Sequence, residues 1–229
     1  MVTIVTGTRK GIGRFLAEYY LEKGHIVIGC SRTESDLEHD NYHHFIADVS
    51  DEKQVKNLVK TVYKKYGKID NLINNAGIAM MNHIIFTSVS AVQRVFDTNY
   101  LGTFIFIREV SKIMMKKSYG RIVNFSTVAV PIHLDGEAIY ASSKAAIVEL
   151  TKIAAKELGS YGITVNAIGP APIKTDLIKN VPEDKIERLL NYQAIKRFGE
   201  FGDIANTIDF YINEKSDFIT GQTIYLGGL

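Results

Sequence analysis

The chain has 229 residues, of which 46% are hydrophobic and 23% charged. That is ordinary for a globular protein and long enough to bury a large core as one α/β unit. A formal net charge of +2 is too small, and too evenly spread, to suggest nucleic acid or an acidic membrane surface as a partner. The single cysteine, Cys30, excludes an internal disulfide and fits a reducing compartment. No apolar stretch is long enough to span a bilayer, and the start of the chain reads as a strand rather than a leader, so the cytoplasm is the expected location.

The first predicted strand, Val2–Val5, runs into Thr6-Gly7-Thr8-Arg9-Lys10-Gly11-Ile12-Gly13 and then into a helix over Ile12–Lys23. Such glycines permit a tight backbone turn and the close approach of a pyrophosphate to the helix N-terminus. No Lys-Ser/Thr pair follows the last glycine, so this is not a Walker loop. A glycine turn without a ligand has the same spacing; the strand-turn-helix setting is what favours a dinucleotide. The second strand, Ile26–Cys30, ends in Ser31-Arg32 with no acid. An acid there holds the ribose 2′-hydroxyl of NAD, whereas a cation suits the 2′-phosphate of NADP. Arg32 can fork onto a phosphate, and Lys10 is a second nearby cation, so NADP(H) is expected over NAD(H). The alternative is that both are ordinary solvated charges.

Further along, strand runs at His44–Ala47, Asn71–Ile73, Arg121–Phe125, Thr164–Ile168 and Thr223–Leu226 alternate with helical patterns at Glu52–Tyr66, Val89–Lys117, Ala138–Ser160 and Asp203–Asn213. Several runs are β-branched throughout, as in strands covered on both faces. The expected class is α/β: one domain over 1–229, a doubly wound parallel sheet of about seven strands with helices on both faces. The stretch from about 170 to 198 holds three of the four prolines, Pro170, Pro172 and Pro182, and has no strand signal. It reads as a mobile lid over the carboxyl edge of the sheet, where ligands bind in such folds. His39, His43 and His44 cluster without ligand spacing, so no metal is expected. Met114 and Met115 read as packing residues, and the Asn124-Phe125-Ser126 acceptor tripeptide lies in a predicted buried strand and is expected to be unmodified.

Tyr140-Ala141-Ser142-Ser143-Lys144 opens a helical stretch. A spacing of four stacks Tyr140 and Lys144 on one helix face. A phenol with a pKa near 10 is a poor acid or base at neutral pH. A neighbouring ammonium is expected to lower that pKa toward a useful range. Such a pair on its own is also what a solvated helix face looks like.

Taken together, these motifs resemble the short-chain dehydrogenase/reductase family, and the resemblance covers nearly the whole chain. Matching the family pattern are Thr6 to Gly13, Asp48-Val49 after the third strand, Asn74-Asn75-Ala76-Gly77 after the fourth, Asn99 in Asp97-Thr98-Asn99, Tyr140 with Lys144, and Asn166 to Pro170, with Ala171 in place of a glycine. The C-terminal pattern resembles Arg197-Phe198-Gly199 through Ile219-Thr220-Gly221. The resemblance implies a Rossmann-type fold and hydride transfer between a nicotinamide and a carbonyl or alcohol. It implies that Tyr140 moves the proton at the substrate oxygen, that Lys144 lowers the tyrosine pKa and holds the nicotinamide ribose, and that Asn99 supports a relay through water. Cofactor contacts are implied at Gly7, Arg9, Lys10, Gly11, Ile12, Gly13, Ser31, Arg32, Asp48, Val49, Asn75, Ala76, Gly77, Tyr140, Lys144 and Pro170, with Ile173 and Thr175 on the nicotinamide amide and phosphate.

One departure stands at the centre. The family's catalytic serine falls at Thr127, with Ser126 just before it. A threonine hydroxyl still hydrogen-bonds a carbonyl, so Thr127 takes the role and Ser126 is the rival. Adjacent strand residues point to opposite faces, so one of the two faces the site. The overall look is similar to 3-oxoacyl-acyl-carrier-protein reductases, which implies 3-oxoacyl thioesters as substrates. Members that use a carrier protein have arginines at the positions of Ser118 and Tyr161, and neither is basic here. His133, Asp135 and Glu137 instead suggest a polar pocket for a sugar or polyol, or else are plain surface residues. A homotetramer (or a dimer) built on the helices at about Val89–Lys117 and Ala138–Ser160 is implied by the resemblance. A reading from another class is a nucleotide-binding regulator that has lost its chemistry. An extended sugar-nucleotide epimerase would need a larger substrate domain than this chain has room for.

Overall fold

Seven short apolar runs pair side by side into one parallel sheet, ordered β3-β2-β1-β4-β5-β6-β7. The computed structural model describes residues 1–176, 181 and 183–228. The strands are β1 (Val2–Thr6), β2 (Ile26–Ser31), β3 (Tyr42–Ile46), β4 (Asn71–Asn74), β5 (Gly120–Phe125), β6 (Ile163–Gly169) and β7 (Thr223–Tyr225). Every residue of β1, β4, β5 and β6 is buried, which is why these runs do not alternate.

Two apolar layers cover the sheet. On one face lie α1 (Gly11–Glu22) and α8 (Phe201–Ile212), with Leu16, Tyr20, Ile204 and Ile208 inward. On the other lie α2 (Glu52–Tyr66), α4 (Gly102–Met114) and α6 (Ala138–Leu158), with Leu58, Val62, Phe106 and Val110 inward. The helix ends follow local chemistry. Asp51 caps α2 by accepting from the backbone N–H of Lys53 and Gln54, and Gly67 closes it in a left-handed conformation at φ 69°. Met114 is buried, as expected of a packing residue, and Asn124 is fully buried inside β5.

Three elements differ from the sequence expectation. The predicted helix over Val89–Lys117 is interrupted: α3 (Val89–Phe96) passes into a π turn at Asp97–Leu101, then α4, then a 3₁₀ turn at Met115–Lys117. A short helix, α5 (Ala129–Ile132), follows β5. The stretch read as a lid with no strand signal contains α7 (Glu183–Tyr192), while the expectation for 177–180 and 182 lies outside the described residues. Its Lys185, Ile186 and Leu189 turn to the cavity while Glu187 and Arg188 are exposed, a periodicity that composition alone hid.

The strand order reverses between β1 and β4. The loops leaving their carboxyl ends therefore diverge, and the cleft between them is the site this topology provides for a ligand.

Candidate active site

A cavity of about 840 Å³ opens at that cleft. It is lined by every residue at which cofactor contact is implied, from Gly7 to Thr175, and by Thr127, Tyr140 and Lys144.

At the glycine turn, Gly7 and Gly11 have φ of 77° and 61°, which favour a residue without Cβ. A Cβ on Gly13 would stand 2.2 Å from the Gly7 carbonyl oxygen, so no other residue fits there. The Asn-Asn-Ala-Gly segment holds this turn in place. The Asn75 Nδ2 donates to the Thr6 carbonyl at 2.9 Å, and the Ala76 N–H donates to Thr6 Oγ1 at 2.9 Å. The first turn of α1 has neither a side-chain cap nor an acid, so its N–H groups stay open to an anion. A glycine cradle, an uncapped helix start and the cations Arg9 and Arg32 suit a dinucleotide carrying phosphates.

At the far end of the cavity, Arg32 is exposed and is in no ion pair among the described residues. Lys10 lines the cavity as well. Its Nζ is 2.7 Å from Asp176 Oδ2, so it ties the glycine turn to the segment beyond β6 instead of standing as an uncommitted cation. Asp48 turns its Oδ1 to the backbone N–H and hydroxyl of Ser50, which fixes the corner after β3. Behind the Ser31–Thr33 turn runs a chain of hydrogen bonds. The Thr8 and Tyr42 hydroxyls are 2.8 Å apart, Tyr42 meets His44 Nδ1 at 2.9 Å, and His44 Nε2 meets the Thr33 carbonyl at 3.0 Å. His43 lies against Lys65 and Tyr66, so local partners account for the histidine cluster.

At the proton-handling end, Tyr140 and Lys144 stand one turn apart on α6. Burial pushes the Tyr140 pKa up to about 12, with the Thr127 hydroxyl opposing the rise and the Glu137 carboxylate adding to it. Lys144 moves the other way. Burial lowers its pKa to about 8, and its Nζ donates to the Phe125 carbonyl at 2.8 Å. The expected lowering of the tyrosine by its lysine is therefore absent. Desolvation penalises the charged form of each group. At neutral pH Tyr140 is a protonated acid and Lys144 is charged.

Thr127 and Ser126 lie just beyond β5 rather than within it, so strand alternation does not decide between them. Both line the cavity. Ser126 Oγ donates to the Lys144 carbonyl at 3.3 Å, whereas Thr127 Oγ1 accepts from the Ala129 N–H at 3.3 Å and is the hydroxyl that acts on the Tyr140 pKa. Asn99 is the exception among the expected residues, for it is fully buried in the π turn and does not line the cavity. Its Oδ1 accepts from the Ile78 N–H at 2.8 Å, and its Nδ2 donates to the Ile78 carbonyl and to Ser143 Oγ, both at 3.0 Å. Ser143 Oγ donates in turn to the Tyr140 carbonyl at 2.7 Å. Asn99 thus clamps the loop after β4 to the start of α6. Ser143, quoted with the Tyr-Lys motif but given no role there, is the link, and nothing in the residue types announces it.

The other end of the cavity comes from three separate segments. Met80 and Met81 follow β4, Leu134 and Glu137 precede α6, and Lys185, Ile186 and Leu189 come from α7. No motif marked the methionines or the α7 residues. Of the three polar residues expected before Tyr140, only Glu137 lines the cavity; His133 and Asp135 are exposed outside it. Ser118 and Tyr161 precede β5 and β6, at the opposite end of the sheet from the chain's own cavity.

Residues 1–186 match the family described as short chain dehydrogenase. The chain is 35% identical over 235 residues to a 3-oxoacyl-[acyl-carrier-protein] reductase of Staphylococcus epidermidis, covering 98% of this chain and 96% of that one. The Escherichia coli reductase of the same name is 31% identical over 233 residues, covering 99% and 96%. Among solved structures, ElxO with NADP bound superposes with a TM-score of 0.90 at 31% identity, covering 98% of this chain and 96% of the other. Thermoplasma acidophilum aldohexose dehydrogenase does so with a TM-score of 0.90 at 32% identity, covering 100% and 93%. With the glycine turn, the reversed strand order and the Tyr-Lys pair meeting at one cavity, this chain belongs to the short-chain dehydrogenase family.

Proposed function

We propose that the protein transfers hydride between NADP(H) and a carbonyl or secondary alcohol, with Tyr140 giving or taking the proton at the substrate oxygen. The observation that carries this is the state of Tyr140. It stands half-buried at the cavity wall beside Thr127 and is protonated at neutral pH, which is the form needed to protonate an alkoxide. Thr127 holds the carbonyl oxygen by its hydroxyl. Lys144, charged and buried, steadies the negative charge that grows on that oxygen and binds the nicotinamide ribose. The nicotinamide supplies or accepts the hydride. Gly7, Gly11, Ile12 and Gly13 cradle the pyrophosphate, while Ser31 and Arg32 take the 2′-phosphate. Asp48 and Val49 flank the adenine. Asn75, Ala76, Gly77, Pro170, Ile173 and Thr175 enclose the nicotinamide end, and Asn99 supports the proton relay through the backbone it clamps. The segment over about 170–198 acts as a lid, with Asp176 tied to Lys10 at its base.

Two substrate classes accompany the relatives: 3-oxoacyl thioesters by the names of the reductases, and sugars by the name of the aldohexose dehydrogenase. The first is supported by overall identity. The second is supported by Glu137, a carboxylate in the cavity wall. NADPH oxidation measured against β-ketoacyl thioesters, sugars and diketones tests the reading. Turnover of none of them, with NADPH still bound, would favour a nucleotide-binding regulator instead. The chain is proposed to act in the cytoplasm as a homotetramer joined through α4 and α6, on which Phe104 and Ile153 stand exposed. Light scattering at a monomer mass would refute that assembly.

A further inference from the structure

Glu137 occupies the N-cap position of α6, and its side chain makes no capping hydrogen bond. It turns into the cavity that holds Tyr140. Its Oε2 is buried without a hydrogen-bond partner among the described residues. Burial raises its pKa, and the charge opposing that rise is Lys185. Lys185 reaches the same cavity from α7 and donates to the thioether of Met81, with Nζ and Sδ 3.6 Å apart. Sulfur is a weak acceptor and leaves most of the ammonium's donor capacity unused. The surrounding wall is apolar: Met80, Leu134, Ile186 and Leu189. A buried carboxylate oxygen left open in such a wall is costly unless a ligand meets it.

The chemistry of that ligand follows from the pair. A cation would face Lys185 and an anion would face Glu137, so the partner is neutral. A hydrocarbon chain would leave both groups unpaired. A hydroxyl satisfies both at once, because its O–H donates to the carboxylate while its lone pairs accept from the ammonium. Position also constrains it. Glu137 precedes Tyr140 by three residues at the head of the same helix, a rise of roughly 4.5 Å at about 1.5 Å per residue. A separation of that order is comparable to the distance between a carbonyl oxygen and a hydroxyl oxygen on the first or second carbon from it.

We propose that Glu137 and Lys185 together bind a hydroxyl on the first or second carbon from the reacting one, so that the substrate is a neutral hydroxyketone or the matching diol, the class to which sugars and polyols belong. This rests on the hydride-transfer reading above. In the reductive direction NADPH gives hydride to the carbonyl carbon, Tyr140 gives its proton to the oxygen, and a diol and NADP⁺ leave.

Acetoin and butanone differ by this one hydroxyl and test the proposal. Each is titrated into the Tyr140→Phe protein loaded with NADP⁺, where turnover is suppressed, and each is then assayed with the native protein for NADPH oxidation. Acetoin is expected to bind, and to be reduced in kcat/KM, about tenfold to a hundredfold better than butanone, the usual range for a hydrogen bond to a charged group. In Glu137→Leu the ratio falls to near one, chiefly through KM, and Glu137→Gln, which keeps an acceptor oxygen, restores part of it. Lys185→Met lowers the ratio by an independent route should Glu137→Leu fail to fold. A ratio near one in the native protein, an unchanged ratio in the variants, or no binding of either ketone overturns the proposal. Preferential binding of acetoin without any NADPH oxidation would leave the hydroxyl site standing and sink the hydride-transfer reading. Equal reduction of both ketones would do the reverse.

Discussion

The two ends of the cavity are built by different means. The cofactor end is made of backbone: left-handed glycines, an uncapped helix start, and Asn75 stitched to the carbonyl of Thr6. The substrate end is made of side chains brought from three distant segments, with methionine, leucine and isoleucine around one carboxylate and one ammonium. Backbone demands are strict, because a Cβ at Gly13 meets the Gly7 carbonyl oxygen and nothing can yield. Side-chain walls are permissive, because Met, Leu and Ile exchange at small cost. The contrast teaches that one end determines that a dinucleotide is used, while the other is free to determine on what.

Changes at the junction of the two ends should have the largest effects. Tyr140→Phe removes the proton donor and is expected to lower kcat about a hundredfold to ten-thousandfold while NADPH binding persists. Stopped-flow turnover beside a fluorescence titration of NADPH reads both quantities. Thr127→Val is expected to cost roughly tenfold to a hundredfold in kcat/KM through loss of a hydrogen bond to developing charge, with Ser126→Ala near the native value. The reverse order would show that the threonine had not taken the serine's role. At the cofactor end, Arg32→Ala should weaken NADPH by about tenfold to a hundredfold and leave NADH unchanged, so that the ratio of their Michaelis constants collapses. A native preference for NADH would break the comparison there.

The smallest effect expected is on pH dependence. Lys144, lowered to about 8 by burial, is charged below that pH and neutral above it, so reduction should decline as pH rises through about 8. Tyr140, raised to about 12, stays protonated throughout that range. The profile of kcat/KM for NADPH, which reports groups of the free protein, should therefore break near 8. A flat profile up to the tyrosine's own range would assign control to Tyr140 alone.

What was legible in the sequence follows the same division. The glycine turn, Asn75 to Gly77 and the strand-helix alternation could be read because each states a local demand that one residue type meets. The Tyr140–Lys144 pair was legible as a pair, but its electrostatics were not. A spacing of four shows proximity along α6 and says nothing of how deeply both groups are buried, and burial sets both pKa values. Asn99 was legible as a motif residue, yet its clamp on Ile78 and Ser143 depends on the π turn, which has no simple signature in Asp97-Thr98-Asn99-Tyr100-Leu101. The meeting of Glu137 with Lys185 needs a loop and a helix from opposite sides of β6 to converge. No periodicity within either segment carries that information.

The π turn has a consequence for what the chain tolerates. Before it, α3 buries a single residue, Val95; after it, α4 buries ten of its thirteen. The two helices are parts of one rod running at different phases, and the wide turn between them is the phase shifter. Removing one residue from Asp97–Leu101 would bring the rod back to an ordinary repeat and rotate α4 by about 100° against α3. Phe106 and Val110 would swing off the sheet. A point substitution in the substrate wall leaves the architecture intact, whereas one lost codon here would undo it at a distance.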